Sequence, residues 1–284
     1  MKRKVTLSAL ALAGMLSAAP SMVKAQGGNT APTASKVVYD FQHFNDIKML
    51  ELFEKAVKAG KRYPSYEELK AAGLADEIEF VRSHVRKRSI LPRTDRLITN
   101  TFETRELFMN IPAGAGRTVG GYPSSEFASD NFSMWNYTNL FGAWNHGLFQ
   151  APGSWADAAH KNGTDIMSGI KFFDTTGNPG GVDASGWLPI LKAKNPDGTF
   201  KYARPMIYML QYLGLDGINY NWEAGNYGDR EVIAFHQNLY EIAKKEGFNN
   251  FHIAIYTSNS SLTDSNVEAL FGKNNKKTAD VMLN

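Results

Sequence analysis

Between Asp216 and Glu223 the chain reads Asp-Gly-Ile-Asn-Tyr-Asn-Trp-Glu, with polar groups able to do chemistry at every second position. Side chains alternate across a β-strand, so Asn219, Asn221 and Glu223 share one face while Tyr220 and Trp222 share the other. On the buried face of an ordinary core strand, two amides and an acid would each need a partner. On the inner face of a barrel strand they climb towards the end where active sites lie. Cleaving a glycosidic bond ordinarily takes two carboxylates, one to protonate the leaving oxygen and one to act at the anomeric carbon. In the substrate-assisted variant the second is replaced by the substrate's own 2-acetamido oxygen, which closes to an oxazoline. The protein then needs a proton donor, which Glu223 can be, and an acceptor for the acetamide N–H, which the Asn221 side-chain oxygen can be.

Other familiar chemistries are missing from the sequence. It has no G-x-S-x-G elbow, no H-E-x-x-H pair and no P-loop. The glycines of Gly114 to Gly121 are spaced as a flexible turn and not as a dinucleotide fingerprint. Histidines at positions 43, 84, 146, 160, 236 and 252 show no metal-ligand spacing with carboxylates, and no metal or cofactor is implied. His160, in the helical Trp-Ala-Asp-Ala-Ala-His-Lys-Asn-Gly, reads as a capping or packing residue. His146, at the C-terminal end of a strand, is balanced between function and structure. Cysteine is absent, which excludes disulfides, thiolate metal sites, a cysteine nucleophile and a lipidated N-terminal cysteine.

The elements that must position these residues follow from composition and rhythm. Residues 1–25 read as a secretory signal: the cationic Met-Lys-Arg-Lys, the apolar Val5 to Ala19, and Val23-Lys24-Ala25 before the cleavage point. Export is therefore expected, with a mature chain beginning near Gln26 and no membrane insertion after the signal is removed. That removal takes Lys2, Arg3, Lys4 and Lys24 from the 31 basic residues and leaves 27 against 28 acidic ones. No charge argument for a nucleic-acid partner survives.

Residues 26–36 form a flexible leader, and 37–100 a helical lead-in with apolar spacing over Asn45 to Ala59 and a capping-box serine at Ser65. From residue 101 to 284, short apolar runs alternate with helical segments, the grammar of a parallel α/β fold. Without a dinucleotide fingerprint, the expected architecture is a (β/α)8 barrel of the TIM type. Six strands are countable, so the barrel is expected to be truncated at its C-terminal end.

On these residues the chain resembles the endo-β-N-acetylglucosaminidases of glycoside hydrolase family 85. Asp216, Gly217, Asn221 and Glu223 match that family's D-G-x-x-x-N-x-E strand. Thr138 to Phe173 is similar to its strand, proline loop, W-x-x-A-A-H-x-x-G helix and following strand, and Ile253 onwards to its next strand with a functional tyrosine, here Tyr256. Asp280-Val-Met-Leu-Asn284 resembles the start of its D-x-x-F-L-N-Y-W strand, and the segment from Arg62 to Gly73 its entry region.

The resemblance implies cleavage between the two core GlcNAc units of N-linked glycans or glycoproteins. It makes Glu223, Asn221 and Tyr256 the catalytic candidates, with Trp144, His146, Asn219 and Asn284 as substrate-binding candidates. Where the family carries paired histidines, this chain has Asn145 and His146. The same strand also resembles the D-G-x-D-x-D-x-E pattern of family 18 with Asn219 and Asn221 in place of two acids, which implies a glycan-binding barrel without turnover.

Overall fold

The computed structural model describes residues 46–85, 107–112, 132, 134–144, 151, 153–172, 184–222, 230–256, 267–268 and 277–283. Tyr39–Asn284 is one compact unit. Its first helix, α1 (Asp46–Lys58), buries Met49, Leu50, Phe53 and Ala56; of the apolar positions that the spacing picks out, Leu50 and Phe53 are core, while Ile47, Leu52 and Val57 are half-buried at its edge. α2 (Tyr66–Ala71) starts on the expected capping box: Ser65 Oγ accepts from the Glu68 N–H at 3.2 Å, and Glu68 accepts from the Ser65 N–H at 2.6 Å. The Ser65 N–H and the Lys61 ammonium hold the Glu68 carboxyl down at about 2. α3 (Ala75–Val81) follows.

The parallel layer then begins: β1 (Phe108–Pro112), a 3-10 turn at Trp135–Tyr137, β2 (Leu140–Trp144), α4 (Gly153–Lys161) and β3 (Asp165–Phe172). It continues with α5 (Ala184–Lys192), α6 (Ala203–Leu213), β4 (Gly217–Trp222), α7 (Arg230–Lys245), β5 (His252–Tyr256) and β6 (Val281–Leu283). The strands lie in the order β1-β2-β3-β4-β5-β6, each parallel to the next. A doubly wound sheet reverses direction at a switch point, whereas this order runs on without one, as in a barrel. All six runs picked out by the sequence are strands. α5 was not foreseen; its interior Pro189 removes a backbone donor and disguises the helix.

Two separate apolar clusters show how the sheet is used. The larger lies between sheet and helices and includes Phe141, Ile166, Ile218, Tyr220, Ile253 and Ile255 from the strands with Met206, Leu210, Phe235 and Leu239 from α6 and α7. It also takes in α1, whose Phe53 ring meets Tyr212 of α6 edge-on at 5.5 Å. The smaller joins Leu140, Met167 and Ala254, with Phe108 and Val281 against them, on the opposite face of the same strands. That second face is concave. On a flat sheet β1 and β4 would stand about 14 Å apart, yet Asn219 of β4 donates from Nδ2 to Asn110 Oδ1 of β1 at 2.8 Å.

Candidate active site

β4 alternates as its sequence predicts. Ile218 and Tyr220 are fully buried on the helix side, where the Tyr220 ring lies 4.9 Å from His236 of α7. Asn219 points into the concave face and is 1 % exposed. It lies beneath the end of the strand and not at its mouth.

The hydrogen-bond register builds the next rung upward. Lys171 of β3 pairs with Asn221, Asn221 with Tyr256 of β5, and Tyr256 with Leu283 of β6. Asn221 and Tyr256, far apart in sequence, therefore stand side by side at the C-terminal ends of adjacent strands, where barrel enzymes assemble their sites. Trp144 closes β2 in register with Pro112. Glu223, His146 and Asn284 lie outside the described residues. Lys171 was missed: in Asp-Ile-Met-Ser-Gly-Ile-Lys-Phe it looks like the frayed end of an apolar strand. Only its register beside Asn221 brings it to the rung.

The opposite end of the sheet holds a different constellation. Asp216, the residue before β4, accepts from His160 Nε2 at 2.8 Å and the Ile166 N–H at 2.9 Å through Oδ2, and from Asn250 Nδ2 at 2.6 Å through Oδ1. His160, on α4, also meets the Val85 carbonyl through Nδ1 at 2.9 Å. Both of its ring nitrogens face acceptors, so both carry protons. Burial opposes that charge, but the Asp216 hydrogen bond and carboxylate, the Val85 carbonyl and Asp165 together raise its pKa. The packing role read for His160 is thus a buried ion pair joining α4 to β4.

Asn250 reaches on to Asp165 Oδ1 at 2.9 Å, whose Oδ2 meets His252 Nε2 at 3.0 Å. His252 Nδ1 faces Asp280 at 3.8 Å, and Asp280 accepts from the Ile253 N–H at 2.9 Å, from Tyr240 and from Lys277. Burial works against the His252 charge, yet Asp165 and Asp280 lift its pKa to about 9. Burial works against Asp280 likewise, and His252, Lys277, Tyr240 and the Ile253 N–H bring it down to about 2.

The network explains two letters of the motif physically. The aspartate fastens β4 to β3, α4 and the turn before β5. The glycine that follows lets β5 come close: a Cβ on Gly217 would lie 2.1 Å from the His252 carbonyl oxygen.

A sequentially ordered parallel sheet with its polar rung at the C-terminal ends of the strands defines a barrel-type α/β protein with a candidate site on the concave face. The sequence model of Glycosyl hydrolase family 85 matches residues 116–279, more than half of the chain, and the chain belongs to that family. Of the two resemblances read from the Asp216–Glu223 strand, family 85 is therefore the one that holds. No curated protein matches the chain in sequence.

Among solved structures, the chain is similar to the glycoside hydrolase domain Endo-D from Streptococcus pneumoniae R6, at 19% identity and a TM-score of 0.47 over 64% of this chain. It is also similar to a putative alpha amylase from Salmonella typhimurium, at 14% identity and a TM-score of 0.32 over 64% of this chain. The chain spans 28% of the first structure's length and 38% of the second's.

Proposed function

We propose that the protein is an exported, retaining endo-β-N-acetylglucosaminidase that cuts between the two core GlcNAc units of N-linked glycans. The observation that carries this reading is the rung itself: in a family 85 chain, Asn221 stands in register with Tyr256 at the C-terminal ends of β4 and β5. In the proposed reaction Asn221 Oδ1 accepts the N–H of the substrate's 2-acetamide, and the acetamide oxygen attacks the anomeric carbon. The bond to the leaving GlcNAc breaks as Glu223 gives its proton to the leaving oxygen, and an oxazolinium ion forms, its N–H retained and held by Asn221. Glu223, now a carboxylate, takes a proton from the water that opens the oxazolinium ion, so the anomeric configuration is retained. Tyr256 hydrogen-bonds beside the reacting centre. Trp144, His146 and Asn284 are proposed to line the sugar subsites.

Export is supported by residues 1–25, and purified mature protein should begin near Gln26 by N-terminal mass. Activity is tested by mass spectrometry of an N-glycopeptide incubated with the chain and with its Glu223→Gln variant. A peptide product that keeps one GlcNAc, formed by the wild type and not by the variant, is the expected result. An unchanged glycopeptide in the wild-type reaction would sink the reading.

A further inference from the structure

Two side-chain amides that meet edge to edge can exchange two hydrogen bonds, each N–H to the other's oxygen. On the concave face, Asn110 and Asn219 make only one. Asn219 Nδ2 donates to Asn110 Oδ1 at 2.8 Å, while Asn219 Oδ1 has no hydrogen-bond partner among the described residues. Asn219 is 1 % exposed, so bulk solvent does not satisfy that oxygen. A buried acceptor without a donor is costly, and native folds seldom keep one.

The strands around Asn219 make room for a donor. Asn219 stands in register with Gly169 of β3 on one side and Ala254 of β5 on the other. Partners in a ladder face the same side of the sheet, so the amide has no side chain on one flank and a single methyl on the other. β2 is bare as well where the amide pair crosses it: a Cβ on Gly142 would lie 2.6 Å from Asn219 Nδ2 and 2.7 Å from Asn110 Oδ1. Bulky branched side chains ordinarily fill the inner face of a barrel at such positions. Here Gly142, Gly169 and Ala254, all buried, leave a recess, and the apolar Leu140, Met167 and Ala254 of the same face offer no donor.

The missing donor must fit a recess closed to solvent and give a proton to Asn219 Oδ1. It can also receive the N–H of Asn110 Nδ2, which the single amide–amide bond leaves over. Water has the size and both capacities, whereas an ammonium ion cannot accept and a sugar is too large. Turning both amides over together exchanges their ends and still leaves one donor and one acceptor, so the requirement survives either assignment of nitrogen and oxygen.

We infer that the concave face carries a binding site for one enclosed water, which donates to Asn219 Oδ1 and accepts from Asn110 Nδ2 beside Gly169. The water closes the second edge of the amide pair, so β1 and β4 are tied across the two strands between them by two routes. The site lies in the floor of the face, one rung below Asn221 and Tyr256, and does not depend on the proposed reaction.

Cross-relaxation between water and side-chain amide protons in full-length 15N-labelled protein tests this site. The Asn219 amide pair, identified by its loss in Asn219→Asp, should show a cross-peak to water with the sign of a molecule held for longer than the protein tumbles. Gly169→Ala puts a methyl into the recess, keeps both amides and should abolish the peak; Asn110→Leu, which removes the donor to the water, should weaken or abolish it. Tyr256→Phe and added N-glycopeptide should leave it unchanged. A wild type without the peak, or a peak at full strength in Gly169→Ala, would overturn the inference. So would its loss in Tyr256→Phe, which would trace it to the phenol O–H, or its loss on adding glycopeptide, which would make the recess a sugar subsite. Should Gly169→Ala fail to fold, the wild type and Asn110→Leu decide. None of these measurements needs turnover, so a wild type that cuts no glycopeptide sinks the proposed function and leaves the water to its own test.

Discussion

Where the strands begin, Asp165, Asp216 and Asp280 are each engaged by several donors: Asp216 by an imidazolium, a backbone N–H and an amide, Asp280 by a lysine, a tyrosine, a backbone N–H and a second imidazole. Where the strands end, the rung is Lys171, Asn221, Tyr256 and Leu283, on the strand that runs on to Glu223. The two ends draw on similar side chains for opposite work. A carboxylate that accepts from several fixed donors fastens together the elements that carry them. A carboxylate that is to protonate a leaving group must keep a proton it can lose. Asp216, at the foot of β4, is of the first kind; Glu223, the next residue in sequence after β4, is proposed to be of the second.

Removing each acid in turn is the sharpest way to break that contrast. Glu223→Gln should lower hydrolysis by at least the roughly 10²- to 10⁴-fold that general acid–base catalysis contributes, with an unchanged melting temperature. Asp216→Ala should do the reverse. It leaves His160 buried and charged without its partner, which costs about 3–5 kcal/mol, read as a lower midpoint in urea, while the protein that stays folded still turns over. A Glu223→Gln variant that melts early, or an Asp216→Ala variant that is stable and inactive, would mean that the two ends do not divide their labour in this way.

The upper end was more legible in the sequence than the lower, and the reason is distance along the chain. Period-two alternation over Ile218, Asn219 and Tyr220 is local, and the structure keeps it; so is the capping box of Ser65 and Glu68. The foot of the strand is built from residues that the sequence separates widely: His160 bonds Asp216 across 56 positions and Asn250 reaches Asp165 across 85. Nothing local announces such a pairing, so Asp216 could be read only as a letter in a motif and His252 only as a histidine without metal spacing. The Asn110 bridge spans 109 positions and was out of reach for the same reason. Lys171 was hidden differently, since its meaning lies in register with β4, which no single strand reveals.

pH sharpens the comparison more gently. His252 has a pKa of about 9 in the folded chain against an ordinary 6.5. Its stabilisation is therefore fully present below about pH 6.5 and is lost as the pH rises through 9, worth about 3 kcal/mol at most. Burial drives His236 the other way, to about 3 against a weaker pull from the Thr278 backbone, so its contribution is present above pH 6.5 and is lost as the pH falls. Asp280, held at about 2, adds to the acid limb by losing its contribution below the ordinary 3.8. Stability should peak near pH 6.5. His252→Gln should reduce the alkaline limb of a melting-temperature profile and spare the acid limb; an alkaline limb unchanged by the substitution would show that His252 is not its source.

The smallest predicted effect falls on the border between the two ends. Gly142 lies beneath the Asn110–Asn219 bridge, where an added methyl would also come within 2.9 Å of the Phe108 ring. Gly142→Ala overfills the concave face and should cost about 1–3 kcal/mol, less than Asp216→Ala because side-chain tips can shift and no charge is stranded. Unlike Asp216→Ala, it should also slow catalysis by the protein that stays folded, because the bridge it displaces holds the residue beneath Asn221. Stability and turnover measured on the same variant thus locate the boundary. A loss of stability alone would extend the scaffold up to the rung, whereas a loss of both marks Gly142 as the level at which holding the barrel together gives way to shaping the site above it.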